Sequence, residues 1–320
     1  MDAKEIQKTI KDITSNDNCG IRVFTLLQHD KTFEIEKFQI NQNLQTAIKD
    51  KVVKVLTENY LNEEFSVSDI HNLAENKKTY YSIKKSEFNP FSFLDLDLDN
   101  LECYKENEQI NLKGFFIKIN LNDSYFWIYQ HKYPVTLINR DSSIFAILKK
   151  GDVYEPLDCD VVKFDSNVDF LILNDCIISK NINLLQTVFG FETYIRDEAK
   201  KVIEKINGLD LISDSSFLST LANQTKLTIS KKLMKVKESP VYDIPKSELL
   251  LKIQKHPFYS KELRIDLQIQ KILISSKKEA INFIKMLNDT YLESALTGKA
   301  YESESKELIG EQTSIAGDAN

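Results

Sequence analysis

Apolar positions alternate with period two almost throughout 112–178 and recur near every 3.6 residues after Phe189. Ile6, Ile10 and Ile13 stand at helical spacing within 2–15. Ile21 to Leu27 and Phe33 to Phe38 are extended runs joined by His29-Asp30-Lys31-Thr32, a hairpin, and Leu44, Ile48, Val52 and Val55 mark a second helix. Lys78 to Ile83 is strand-like. From Asn89-Pro90 to Glu108 the chain reads as a solvated loop bearing Asp95, Asp97, Asp99, Glu102, Glu106 and Glu108.

Five short runs follow: Gly114 to Leu121, Tyr125 to His131, Ser143 to Leu148, Val161 to Phe164, and Phe170 to Ile178, broken at Asn174-Asp175. Tight Asn/Asp/Gly turns between them predict an antiparallel meander, since parallel neighbours need crossovers of about a dozen residues. Beyond Phe189, Tyr194, Ala199, Val202, Ile203 and Ile206 form a helical stripe that ends at Asn207-Gly208 as a C-cap. Helices are expected over Phe217–Leu221, Leu227–Val236 and Leu249–Ile253, with Pro240 and Pro245 in a linker, and one strand over Leu263–Ile274. Ser276-x-x-Glu279 is a capping box opening a helix through Ile281, Ile284 and Leu287. The expected class is α+β. Residues 1–187 form a largely antiparallel sheet domain with flanking helices, and 188–306 a mostly helical domain with a late strand. Residues 307–320 form a flexible tail.

Composition removes several chemistries. The eight glycines among 320 residues are nowhere spaced for G-x-G-x-x-G or a P-loop, so the common backbone cradles for phosphate are excluded. Cys19, Cys103, Cys159 and Cys176 form no C-x-x-C pair and read as reduced thiols in or near strand runs, which places the chain in the cytosol. No apolar run approaches the ~18 residues of a membrane span, so no direct insertion is expected. His29, His71, His131 and His256 are scattered, G-x-S-x-G is absent, and no catalytic residue, metal or cofactor is assigned. A metal-dependent nuclease would need Asp169 to meet Glu198-Ala199-Lys200, whose last residues fall on an expected helix rather than a strand.

Charge redraws the picture. The net charge is −6, yet residues 226–264 hold ten basic against four acidic residues, a local +6 that leaves −12 elsewhere. Thr228, Lys231, Lys232 and Lys235 form an expected exposed stripe beside apolar Ile229, Leu233 and Val236. The candidate DNA contacts are Lys226, Lys231, Lys232, Lys235, Lys237, Lys252, Lys255 and Arg264. Lysines along a helix neutralise phosphates without reading bases; the bland alternative is a solvated lysine face. Phe258 and Tyr259 offer few aromatic platforms nearby, so duplex fits better than single strand.

The run Asp169-Phe170-Leu171-Ile172-Leu173-Asn174-Asp175-Cys176-Ile177-Ile178, the Phe191-Glu192 helix start, and Leu287-Asn288-Asp289-Thr290-Tyr291-Leu292-Glu293-Ser294-Ala295-Leu296-Thr297 with Tyr301 and Lys306 resemble the KwaB-like family of the Kiwa anti-phage defence system. In the last segment Leu287, Tyr291, Leu292, Ala295 and Leu296 read as a helix ended by Thr297-Gly298. The resemblance implies a cytoplasmic homodimer that binds phage DNA without strong sequence preference. It also implies obstruction of phage DNA replication and expression, and recruitment to the inner face of the membrane by a small transmembrane partner (KwaA-like). It supplies no motif of DNA-contacting residues. A nuclease and a non-DNA-binding adaptor remain alternatives.

Overall fold

The computed structural model describes residues 1–16, 18–72, 79–105, 111–133, 137–138, 147–150, 153–156, 161–165, 167–293 and 296–303. Two compact units divide the chain: 1–69 with 77–184, and 70–76 with 185–320. Glu106, Glu108, Cys159, Lys306 and the tail 307–320 lie outside the described residues.

In the first unit α1 (Ala3–Thr14) opens with a capping box between Asp2 and Glu5 and buries Ile6, Ile10 and Ile13. The expected hairpin forms between β1 (Gly20–His29) and β2 (Thr32–Lys37), with Asp30 at φ 53° in its two-residue turn. Then come α2 (Gln42–Asn59), β3 (Val67–Asp69), β4 (Tyr80–Lys84), β5 (Leu112–Leu121) and β6 (Ser124–His131). Two small ladders follow, β7 (Leu137–Ile138) with β10 (Val161–Val162) and β8 (Ile147–Lys150) with β9 (Val153–Pro156). The unit closes with β11 (Phe170–Leu173) and β12 (Cys176–Ser179).

Eight strands make one sheet in the order β2-β1-β5-β6-β11-β12-β4-β3. It is not the simple meander expected. The upstream strand β4 joins beyond β12, β3 pairs with β4 in parallel, and the chain between β6 and β11 leaves the sheet. One face buries Ile21, Val23, Phe115, Ile117, Phe126 and Leu171 with the apolar sides of α1 and α2. On the opposite face, the acidic loop departs from its solvated reading: Phe91, Leu94 and Leu98 are buried while Asp95, Asp97 and Asp99 stay exposed. The Phe91 ring lies 5.6 Å from Phe116 and 5.9 Å from Phe170. Apolar residues at every third or fourth place in that loop cap the sheet, and the carboxylates between them face water. Cys19 and Cys176 are buried thiols as expected, but Cys103 is exposed.

α3 (Ile182–Phe189) carries the chain into the second unit, where α4 (Phe191–Gly208), α5 (Ser216–Ala222), α6 (Thr228–Lys235), α7 (Lys246–Lys255) and α8 (Tyr259–Glu262) follow. Gly208 is helical rather than capping; the left-handed residue is Asp210, φ 53°, one place beyond the C-cap Leu209. The single late strand expected over Leu263–Ile274 is a hairpin of β13 (Arg264–Asp266) and β14 (Lys271–Leu273), turned at Gln270 with φ 52°. α9 (Lys277–Leu287) starts at Ser276, whose hydroxyl accepts from the Glu279 N–H. The expected helix through Thr297 does not form. Asp289 takes φ 45°, Thr290 N–H returns to the Lys285 carbonyl and Asp289 N–H to Met286, a Schellman stop. β15 (Tyr291–Glu293) and β16 (Ala300–Glu302) then pair as a hairpin. α4, α5, α6, α7 and α9 share one apolar core. The fold is α+β, with an antiparallel-rich sheet and mostly helical second unit.

Candidate nucleic-acid interface

α6 is held by its apolar side. Ile229, Leu233 and Met234 are buried in the helical core, and the buried Ser230 hydroxyl donates to the Ala222 carbonyl at the end of α5, at 2.7 Å. The lysines are less exposed than the stripe predicted: Lys231, Lys232 and Lys235 are all half-buried, and only Thr228 is open. Burial pushes the Lys231 ammonium below the usual lysine range. Lys232 and Lys235 border a cleft of about 20 Å³ with Ile284, Lys285, Asn288 and Thr290. Lys285, which pairs with Glu302, is the cation that sequence reasoning missed. It lies 21 positions after Arg264; only the packing of α9 beside α6 brings it in.

The other candidates divide. Lys226 and Lys255 are exposed. Lys237 pairs with Glu198 at 2.8 Å and Lys252 with Glu248 at 2.7 Å. Burial alone would raise the pKa of Glu198, but hydrogen bonds from Lys201 and Lys237 outweigh it and hold the carboxyl below the usual range. Arg264 is locked between Glu279, at 2.6 Å, and the Ser275 hydroxyl, at 2.5 Å.

Arg264 therefore acts first on stability. Its hydrogen bond, with the Ser275 backbone N–H next, holds the Glu279 carboxyl at about 2, below the ordinary 4.5. Because the folded value is depressed, the stabilisation is complete above pH 4.5 and is lost as pH falls through 2. Glu279→Gln is expected to cost on the order of 2 kcal/mol at pH 7, discounting for the exposed Arg264. Urea unfolding of parent and variant should converge as pH drops through that window; a pH-independent gap would assign the loss to something other than this carboxylate.

Asp169 is a buried structural carboxylate at the start of β11. It accepts from the His131 backbone N–H at 2.8 Å, the Asn167 amide at 3.2 Å and the Tyr133 hydroxyl at 3.3 Å. Burial pushes its pKa up against those donors. Asp169 belongs to the first unit and Glu198 to the second. Lys200 is paired with Asp197 at 3.1 Å. Among the described residues, no group of three or more His, Cys, Asp or Glu side chains is placed to hold a metal.

A family model described as Kiwa protein KwaB-like matches residues 109–297, more than half of the chain. The chain belongs to this KwaB-like family. A Kiwa protein KwaB of Escherichia coli O55:H7 (strain RM12579 / EPEC) is 24% identical over 322 residues, covering 97% of this chain and 100% of the relative. No solved structure matches. Membership in the KwaB-like family makes this a protein of Kiwa anti-phage defence. The model match spans β11, β12, α4, α6 and α9, and so includes the half-buried lysines. No helix among the described residues is long and apolar enough to cross a membrane.

Proposed function

We propose that the protein is a DNA-binding effector of Kiwa. It grips duplex DNA by its phosphates, without strong sequence preference, and so obstructs phage DNA replication and expression. The observation that carries this reading is the grouping of Lys231, Lys232 and Lys235 on α6, with Lys285 of α9 beside Lys232 and Lys235. Lysine stems packed against a helix core lose less freedom on binding than fully solvated ones. Each phosphate they neutralise releases counterions. Lys226 and Lys255 add exposed charge at the margins; Lys237, Lys252, Arg264 and Lys285 itself are paired with carboxylates, which a phosphate has to displace.

In this reading no metal, cofactor or catalytic side chain takes part. A small transmembrane partner (KwaA-like) recruits a cytoplasmic homodimer to the inner face of the membrane. Two duplexes of unrelated sequence, titrated at two salt concentrations without divalent ions, test the DNA reading. Both should bind with similar Kd values that weaken steeply as salt rises. Failure to retard either duplex at low salt, with co-purification of the co-expressed membrane protein intact, would leave the adaptor alone. Light scattering should give twice the chain mass, and a monomer mass would remove the homodimer.

A further inference from the structure

The first unit holds an arrangement of charge that its packing opposes. Arg22 on β1 stands directly opposite Lys118 on β5, a position in which like charges repel. Lys37, at the end of β2, is a third cation, and its ammonium donates to the Asp99 backbone carbonyl at 2.6 Å. The Arg22 guanidinium holds the Asp99 carboxylate at 2.7 Å, and that carboxylate is 81% exposed. Lys118 turns its ammonium over the rings of Tyr125, 4.1 Å, and Trp127, 5.4 Å. Burial first and then the charge of Arg22 hold Lys118 below the usual lysine range. The solvated Asp99 carboxylate thus meets Arg22 directly, with Lys37 on its backbone carbonyl and Lys118 across the strand from Arg22.

Beside Arg22 and Lys37 a cavity of about 470 Å³ opens, bordered also by Phe24, Gln39, Asn41 and Gln45. Its size falls within the ~300–1,000 Å³ of small-molecule sites. Among the described residues that line it, none is acidic. A planar guanidinium beside an ammonium is the donor set that phosphate oxygens take, while the Gln39 amide donates to Cys103 Sγ at 3.1 Å and the Gln45 amide to the Ile40 carbonyl at 3.5 Å.

We propose that this cavity binds a phosphate-bearing small ligand, and that Asp99 is its built-in competitor. The guanidinium fork of Arg22 and the ammonium of Lys37 take the phosphate oxygens, and the Gln39 and Gln45 amides meet the rest of the ligand. One guanidinium nitrogen of Arg22 holds the Asp99 carboxylate, and the phosphate displaces it. This goes beyond the α6 reading, because every residue involved belongs to the first unit.

Calorimetric titration of the full chain with dAMP, inorganic phosphate and deoxyadenosine tests it. dAMP and phosphate should bind and deoxyadenosine should not. Arg22→Gln should weaken dAMP about tenfold, the loss of one charge-assisted contact. Asp99→Asn should tighten dAMP roughly threefold or more by removing the competitor; an Arg22–Asp99 pair with a purely structural role gives no tightening. An unphosphorylated tetrathymidylate distinguishes sources: competition with dAMP assigns the site to strand phosphates, and its failure to compete assigns it to free phosphomonoesters. Replacing Lys231, Lys232 and Lys235 should leave dAMP binding unchanged. Absent dAMP binding, equal binding of deoxyadenosine, or an Asp99→Asn variant that binds no tighter overturns the proposal.

Discussion

Alanine at position 114 is expected to cost about 3 kcal/mol of folding stability, the upper end of overpacking penalties in a well-packed interior. Gly114 pairs with Leu26 on β1 and His131 on β6, at the point where the β1–β5 register slips. A Cβ there would run into the backbone carbonyl of Gln130 and lie 2.7 Å from the Tyr129 ring. That ring cannot move aside cheaply. It stacks on Phe170 at 5.2 Å, packs against Phe116 at 4.9 Å, and its hydroxyl donates to the Lys113 carbonyl at 3.1 Å. Two other glycines serve as controls. At Gly20 the Cβ meets only the Asn120 amide, 3.2 Å away at the end of a side chain that can rotate, so alanine should cost under about 1 kcal/mol. At Gly208, helical and with nothing within 4 Å, alanine should stabilise by roughly 0.5–1 kcal/mol. Denaturant midpoints of the three variants should fall in that order; an unperturbed Gly114→Ala protein would mean that β5 and β6 do not pair in this register.

Reversing Lys231, Lys232 and Lys235 to glutamate should lower duplex affinity by about 100-fold or more at low salt and flatten the log–log salt slope by roughly two to three units. The three side chains lie on one helix whose other side is anchored in the core, so they meet a phosphate backbone as a group. Their half-burial calls for a milder variant as well. The triple Lys→Gln protein keeps volume and polarity, and it should show the same direction with a smaller loss. Lys252→Glu, next to its partner Glu248, should weaken binding far less. Equal affinity and slope in the parent and both triple variants, with unfolding midpoints preserved, would remove α6 from DNA contact. A larger loss for Lys252 than for α6 would move the interface to α7.

The lysine segment shows how far the sequence was legible. That α6 is a helix, and which of its sides is apolar, followed from Ile229 and Leu233 alone, because a 3.6-residue period is a local property. The charge state of each neighbour did not follow. Glu198, Glu248 and Glu279 engage Lys237, Lys252 and Arg264, and Glu198 and Glu279 reach their partners from α4 and α9. Lys285 joined the group for the same reason. The misread helix beyond Leu287 is instructive in another way. Leu287, Tyr291 and Leu292 fit a helical period, but they straddle a stop and a strand, and periodicity carries no sign of a left-handed Asp289.

By itself the sequence determined most of the longer elements and several of their turns: strands by alternation, helices by the 3.6 period, and breaks where Asp30, Asn122 and Asn174 accept positive φ. Those preferences act within a few residues and need no partner. Only the tertiary structure decided that β4 lies outside β12, that Gly114 makes room for Tyr129, and that Arg22 faces Lys118. Strand order and register come from pairings across tens of residues, where many arrangements satisfy the same alternation and packing selects one.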